Sequence, residues 1–170
     1  MCEVAARKLF QVITVDQFES IIKATTQKHH KLAYALGFYA GLRISEVVKL
    51  TTKDVDHSRN MIFVSEGKGK KDRYVPIAKP LKAVLNKIKL PVGVGARALE
   101  MAIVKVSKNV LGDSIKFHTL RHSCATHYLS KGMNIREVQQ LLGHSRLDTT
   151  MIYTHVSPDA IKASMDDIWD

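Results

Sequence analysis

Four side chains with acid–base or anion-binding chemistry lie within 36 residues near the end of the chain. They are His118, Arg121, His144 and Tyr153, and a further arginine, Arg43, lies upstream in the segment GLRISE. Two arginines can hold one phosphate group, because each planar guanidinium donates two parallel hydrogen bonds to its oxygens. A tyrosine beside such a pair is a nucleophile suited to covalent phosphoryl transfer. The residue types therefore predict chemistry on a phosphate ester rather than phosphate binding alone.

The tyrosine hydroxyl needs help before it can attack a phosphate. A free phenol has a pKa of about 10 and is mostly protonated at neutral pH. Nearby arginines favour the phenolate, and an imidazole can accept the proton. His118 lies three residues before Arg121, so a helix would place both on one face, about one turn apart. The carboxylate of Glu46, in GLRISE, is expected to support the fold or else to orient a catalytic group.

Five motifs in a fixed order carry a resemblance to a known family. They are GLRISE with Arg43, GKGKKDR with Lys68, HTLRH with His118 and Arg121, LLGHS with His144, and TTMIYTH with Tyr153. Together they resemble the catalytic domain of the tyrosine recombinases, the phage integrase family. The resemblance covers the chain from about Thr14 to Tyr153. It implies site-specific DNA recombination or integration through a 3′-phosphotyrosyl intermediate, with no metal and no cofactor.

The resemblance also implies a role for each matching residue. Tyr153 attacks the scissile phosphate, Arg43 and Arg121 bind its two non-bridging oxygens, and His118 assists proton transfer. His144 donates a hydrogen bond to the phosphate, at a position where the family sometimes has tryptophan.

The basic segment around Lys68 is the expected source of the general acid. Lys68 lies in a Gly-Lys-Gly turn and would protonate the leaving 5′ oxygen, with Lys70 and Lys71 as close rivals. We expect Lys70, Lys71 and Arg73 to contact DNA, because they crowd one short hairpin.

The implied partner is double-stranded DNA, bound by a homotetramer that is monomeric when free of DNA. The implied location is the cytoplasm, on nucleoid, viral, proviral or plasmid DNA. Neither the target sequence nor the choice between viral integration and chromosome-dimer resolution follows from the residues. The same holds for cleavage in the chain's own active site or in a neighbour's.

Three other functions are compatible with parts of the pattern. A DNA-binding remnant without catalysis would keep the basic charge, and a type IB topoisomerase shares the chemistry but relaxes any supercoiled DNA. A metal-dependent nuclease needs clustered carboxylates, whereas the aspartates here are scattered among unlike motifs. His118 and His122 have zinc-ligand spacing, but Arg121 lies between them and the glutamate of a zinc-protease helix is missing.

Length and composition limit the possible fold and function classes. A chain of 170 residues suits one domain with a hydrophobic core, and no apolar run reaches the ~18–20 residues that span a bilayer. Two cysteines, Cys2 and Cys124, do not make a disulfide framework, so both are predicted to be reduced thiols. The net charge of +10 favours a polyanionic partner, although a lysine-rich solvated surface gives the same total.

Hydrophobic spacing predicts a mainly α-helical domain with one small antiparallel sheet or hairpin. A capping box at Thr14 and Gln17 starts the first helix, and Gly41 ends the second just before Arg43. Strands are predicted at residues 60–65 and 73–77 around a charged turn. The other predicted helices are 45–50, one around residues 81–88, one from about residue 98 to Gly112, 118–131, 134–142, 147–154 and 158–169.

The resemblance to the tyrosine recombinases also implies a domain organisation. We expect residues 1–170 to form a single catalytic domain, without the N-terminal helical domain that closes the family's clamp around DNA. The segment 156–170 is amphipathic. It can fold back on its own core or, as often in the resembled family, dock into a neighbouring subunit.

Overall fold

The computed structural model describes residues 11–65, 72–143 and 158–169. These residues form eight α-helices and three strands, so the predicted fold class is confirmed. The helices are α1 Val15–Ala24, α2 Lys28–Tyr39, α3 Ile44–Lys49, α4 Lys79–Lys87, α5 Ala96–Leu111, α6 Phe117–Ser130, α7 Ile135–Leu142 and α8 Pro158–Trp169. The strands are β1 Val55–Asp56, β2 Met61–Val64 and β3 Arg73–Pro76. The predicted helix at residues 147–154 lies outside the described residues.

The sheet is antiparallel in the order β1-β2-β3. Its central pairing runs from Met61 opposite Pro76 to Val64 opposite Arg73. The predicted hairpin is therefore confirmed in its two strands, while residues 66–71 of its turn lie outside the described residues. The two-residue strand β1 was not predicted, because two residues carry no measurable alternation.

Local capping chemistry sets several helix ends. Thr14 accepts a hydrogen bond from the Gln17 amide at 3.2 Å, and the Gln17 side chain accepts from the Thr14 amide at 2.9 Å. A second capping box, from Asn134 and Glu137, starts α7. Gly143 ends that helix in the left-handed conformation, with φ of 68°.

Helix α2 is the centre of the core. Eight of its residues, from Leu32 to Tyr39, are buried, and its Phe38 ring stacks on Phe18 of α1 at 4.0 Å. Helix α6 packs closely on it, because Gly37 leaves room for the Phe117 ring. The core therefore fixes α6, which carries His118 and Arg121, relative to the loop that follows α2 and carries Arg43.

The last helix packs on its own chain. Ile161 and Met165 are buried, and Trp169 Nε1 donates a hydrogen bond to the Tyr128 hydroxyl at 3.1 Å. The Trp169 ring also contacts Tyr39 and His127, with centroids 5.1 and 4.7 Å apart. In the single chain α8 thus takes the folded-back arrangement. Across the described ranges, no helix combines the length and apolar character needed to cross a membrane.

Gly41 offers a test of how closely the turn after α2 approaches Leu142 at the end of α7. Its φ is +65°, and a Cβ there would lie 2.4 Å from Leu142 Cδ2 and 3.3 Å from the Sγ of the free, buried thiol Cys124. Gly112 has a similar φ of +76°, but a Cβ there would meet no described atom within 4 Å. Gly112→Ala should therefore cost only the left-handed conformation, about 1–2 kcal/mol. Gly41→Ala should cost about 1–3 kcal/mol more, because it also overpacks the core.

Urea unfolding of the two variants measures this difference directly. Equal losses of unfolding free energy in the two variants would mean that the contact with Leu142 tolerates the extra atom.

Candidate active site

Arg43 lies at the start of α3, two residues after the turn at Gly41. Its side chain is 34% exposed, and its Nη1 donates to Glu46 Oε1 at 3.1 Å. Its backbone amide donates to the other oxygen of the same carboxylate, Glu46 Oε2, at 2.7 Å. Glu46 therefore holds both the backbone and the side chain of Arg43, and the guanidinium remains partly open to solvent.

Arg121 lies in α6 and is almost completely buried, at 3% exposure. Its Nη1 donates to the Gly41 carbonyl and its Nη2 to the Leu142 carbonyl, both at 2.7 Å. One guanidinium thus joins the turn that precedes Arg43 to the last residue of α7. The structure confirms that α6 carries both His118 and Arg121, and it brings Arg121 to the segment that leads to Arg43.

The position of Arg73 differs from the prediction made from the sequence. It was predicted to contact DNA, but its side chain is 7% exposed and turned into the protein. Its Nη1 and Nη2 donate to the two oxygens of Glu46 at 2.9 and 3.0 Å, and its Nε donates to the Leu141 carbonyl at 3.0 Å. The physical reason is strand alternation, since Arg73 and Val75 face inward and Tyr74 between them faces outward.

Among the described residues, the contacts group three arginines around one carboxylate, so this part of the site is positive. Burial, together with the charges of Arg43 and Arg73, lowers the pKa of Arg121 to about 10 against the opposing effect of Glu46. Arg121 remains charged at neutral pH. A net excess of two positive charges beside a partly open guanidinium attracts an anion such as a phosphate.

Glu46 is the only carboxylate that the described contacts place among these arginines. Burial by itself would raise its pKa, but hydrogen bonds and charge from Arg73, and then from Arg43, leave that pKa below the ordinary value. Glu46 therefore stays ionised. Of the two expected roles, support of the fold and orientation of a neighbouring group, its contacts fit both, since it joins β3 to α3 and also orients Arg43. Arg73 was not expected as a positioning group, although strand alternation in the segment RYVPI was a signal for its inward register.

His118 lies on the exposed surface in the first turn of α6. Its ring meets that of His122 edge-on, with centroids 4.2 Å apart. The pKa of His122 is lowered by burial, then by His118 and Arg121. Within residues 11–65, 72–143 and 158–169, no three His, Cys, Asp or Glu side chains gather as metal ligands do.

The described tyrosines, which do not include the predicted nucleophile Tyr153, are mostly buried. Burial raises the pKa of Tyr128 well above its usual value, and the Tyr128 hydroxyl donates to the Tyr39 carbonyl at 2.8 Å. Burial also raises the pKa of Tyr34 and of Tyr39 to about 12. Tyr74 is 49% exposed on the outer face of β3. Lys68, Lys70, Lys71, His144 and Tyr153 lie outside the described residues.

Comparison with known proteins gives one consistent result. The model of the phage integrase family matches residues 11–95 and 94–159. A tyrosine recombinase of Thermosipho africanus is 38% identical over 92% of this chain and 62% of its own length. Tyrosine recombinase XerA of Pyrococcus horikoshii is 33% identical over 94% of this chain and 62% of its own length. The chain thus spans about 62% of these curated relatives.

Solved structures agree on the fold. A crystal structure of XerA recombinase superposes with a TM-score of 0.72 and 28% identity, covering 90% of this chain and 63% of the other. The catalytic core of lambda integrase, at 21% identity, superposes with a TM-score of 0.65 over 82% of this chain and 95% of the other.

The Glu46 carboxylate makes stability depend on pH. Because its pKa is lower in the folded than in the unfolded chain, the unfolded chain binds more protons as pH falls below about 4.3. The stability from Glu46 is thus fully present above that pH and is lost as pH falls toward the folded-state pKa. Glu46→Gln should lower the unfolding free energy at pH 7 by about 3 kcal/mol, and the gap to wild type should shrink on acidification.

Denaturant unfolding at several pH values measures that gap. Glu19→Gln removes the same charge from an exposed position on α1 and should stay within about 0.5 kcal/mol of wild type. A gap for Glu46→Gln that does not change with pH would show that its ionisation is unimportant for stability.

Proposed function

The chain belongs to the phage integrase family, and on that premise we propose that it cuts and rejoins DNA strands in site-specific recombination. The observation that carries the proposal is the arginine cluster. Arg121 holds the Gly41 turn and the end of α7, and Arg43 emerges beside it with its guanidinium partly exposed. The cluster binds one phosphodiester of DNA as an anion.

The proposed reaction begins with attack by Tyr153 on the scissile phosphate. The bond from phosphorus to the 5′ oxygen breaks, a 3′-phosphotyrosyl bond forms, and a 5′ hydroxyl is released. A second 5′ hydroxyl then reverses the step on a new partner. The bond energy is kept in the phosphotyrosine, so the proposed cycle uses no nucleotide, metal or other cofactor.

Arg43 and Arg121 together stabilise the transition state. A guanidinium has five N–H donors, and two of those on Arg121 hold backbone carbonyls. The guanidiniums of Arg121 and Arg43 are charged donors suited to the two non-bridging oxygens, where negative charge develops. Fixed donors in a buried setting are more effective than mobile ones, because little reorganisation accompanies the reaction.

Proton transfer and phosphate contact are assigned to three further residues. His118, exposed at the start of α6 one turn before Arg121, assists the proton of Tyr153. His144 donates a hydrogen bond to the phosphate, and in sequence it lies two residues after Leu142, whose carbonyl Arg121 binds. Lys68 protonates the leaving 5′ oxygen. The neighbouring Lys70 and Lys71 contact the DNA backbone.

Support for DNA as the partner comes from charge and from relatives. The net charge of +10 suits a polyanion. Neighbours in fold have been solved with DNA, including XerH recombinase bound to its difH substrate and the Tn1549 integrase with transposon end DNA. We propose that the chain acts as a homotetramer on DNA and as a monomer without it, with α8 exchanged between subunits only in the assembly.

Tyr153→Phe should abolish covalent capture of DNA while leaving binding intact. A nicked suicide substrate traps the phosphotyrosyl intermediate, and a denaturing gel in EDTA detects it. Tyr74→Phe removes the same hydroxyl from an exposed strand position and should react like wild type. Persistent adduct with Tyr153→Phe would refute Tyr153 as the nucleophile.

The same gel separates the alternatives. A DNA-binding remnant leaves no adduct with the wild-type protein, and a metal-dependent nuclease loses its cleavage in EDTA. Relaxation of supercoiled plasmids of unrelated sequence would instead indicate a type IB topoisomerase.

Lys68 is tested as the general acid by changing the leaving group. Lys68→Ala should slow cleavage of an ordinary phosphodiester by about 10²–10⁴-fold. Replacement of the leaving 5′ oxygen by sulfur should restore most of the rate, because a thiol has a pKa near 8.5 and leaves without a proton. Lys70→Ala and Lys71→Ala weaken binding instead, and sulfur should not compensate for that. Equal rescue of all three variants would remove the assignment to Lys68.

A further inference from the structure

We propose that Arg73 is a positioning residue of the cleavage reaction, holding Arg43 through Glu46 and the end of α7 through the Leu141 carbonyl. The inference rests on the proposed function and adds to it a residue outside the expected catalytic set. Arg73 touches no reacting atom in this scheme. It acts through the two segments that it joins.

The first link runs through the carboxylate. Arg73 forms a bidentate ion pair with Glu46, from Nη1 to Oε1 at 2.9 Å and from Nη2 to Oε2 at 3.0 Å. The same two oxygens accept from Arg43, Oε1 from its Nη1 at 3.1 Å and Oε2 from its backbone amide at 2.7 Å. The planar fork of Arg73 thus fixes the plane of the carboxylate, and the carboxylate fixes Arg43.

The second link runs through the backbone. Arg73 Nε donates to the Leu141 carbonyl at 3.0 Å, and Arg121 Nη2 donates to the next carbonyl, that of Leu142, at 2.7 Å. The last carbonyls of a helix have no partner within the helix, so side-chain donors are needed to satisfy them when they are buried. Two arginines from different elements therefore hold the last two residues of α7, and His144 follows Leu142 after one intervening glycine.

The two links make Arg73 different from a residue that only stabilises the fold. The charged groups facing Glu46 in the described structure are Arg43, next to its own helix, Arg73 from β3 and Arg121 from α6. Loss of Arg73 removes the strongest of these partners from a buried carboxylate. A protonated Glu46 has one fewer acceptor oxygen for Arg43, so the orientation of Arg43 then depends on pH.

The test compares charge and shape at position 73 in the full chain. Single-turnover adduct formation on the nicked suicide substrate is measured from pH 5 to 9, together with DNA affinity and the folded fraction by circular dichroism. We expect Arg73→Met to cleave about 100-fold more slowly at pH 7, since a small misplacement of catalytic groups has that effect. The acid limb of its pH–rate profile, where the rate falls as pH is lowered, should move to higher pH. DNA affinity should change no more than in Arg97→Met, which removes the same charge from an exposed position on α5.

Two further variants keep the test decisive if Arg73→Met folds poorly. Arg73→Lys keeps the charge but cannot bridge both carboxylate oxygens and the Leu141 carbonyl in one plane. It should keep the wild-type acid limb and lose about tenfold in rate. Arg73→Met combined with Glu46→Gln should lose the pH shift, because the titrating group is gone.

The outcomes separate this proposal from the proposed function. If the wild-type protein forms the adduct and Arg73→Met or Arg73→Lys forms it at the same rate, the positioning role of Arg73 is wrong, while the recombinase function stands. The positioning role is also wrong if the rate of Arg73→Met falls only in proportion to its folded fraction and the acid limb of its pH–rate profile does not move. Absence of adduct with the wild-type protein and DNA would overturn the recombinase function and this proposal with it.

Discussion

The buried guanidinium of Arg121 is the interaction on which the arrangement of the site depends. It bridges the Gly41 carbonyl, just after α2, and the Leu142 carbonyl, at the end of α7, two points that are far apart in sequence. Backbone carbonyls left unpaired in the interior are costly, and a charged donor satisfies them more strongly than a neutral one. The same bonds leave the charge of Arg121 beside Arg43, so one side chain serves both the fold and the proposed anion site.

A cluster of buried charges is an unusual choice if stability is the only requirement. Desolvation of each ion is expensive, and well-packed apolar side chains in place of a buried ion pair are often neutral or stabilising by about 1–4 kcal/mol. Here the arginines exceed the carboxylates, and repulsion from Arg43 and Arg73 helps burial to lower the pKa of Arg121 to about 10. A phosphate at the proposed anion site would relieve that repulsion, because its negative charge would face the same guanidiniums.

The sequence predicted most of the fold because the decisive signals, such as the capping box at Thr14 and the left-handed stop at Gly143, act within a few residues. The partners of Arg121 and Arg73 carry no such signal, whereas Glu46 lies only three residues after Arg43. Arg121 donates to two carbonyls, and a backbone acceptor has no residue type to recognise. Arg73 continues a run of basic residues, so composition assigns it to the surface, whereas the period of two in β3 turns it inward. Its partner Glu46 lies 27 residues away, and no local rule pairs them.

Several groups of the described site lie at the ends of elements, while Glu46 and Arg121 lie within α3 and α6. Arg43 is the N-cap residue just before α3, Arg73 begins β3, and the acceptors at Leu141 and Leu142 end α7. Element ends have unpaired backbone groups, and Arg73 and Arg121 donate to the carbonyls at the end of α7. The chemistry of residues 141 and 142 is then set by their carbonyls, and their leucine side chains matter only for packing. Gly41 differs, because its conformation and its contact with Leu142 both exclude a side chain. The geometry that aims Arg43 depends on that glycine as much as on any charged group.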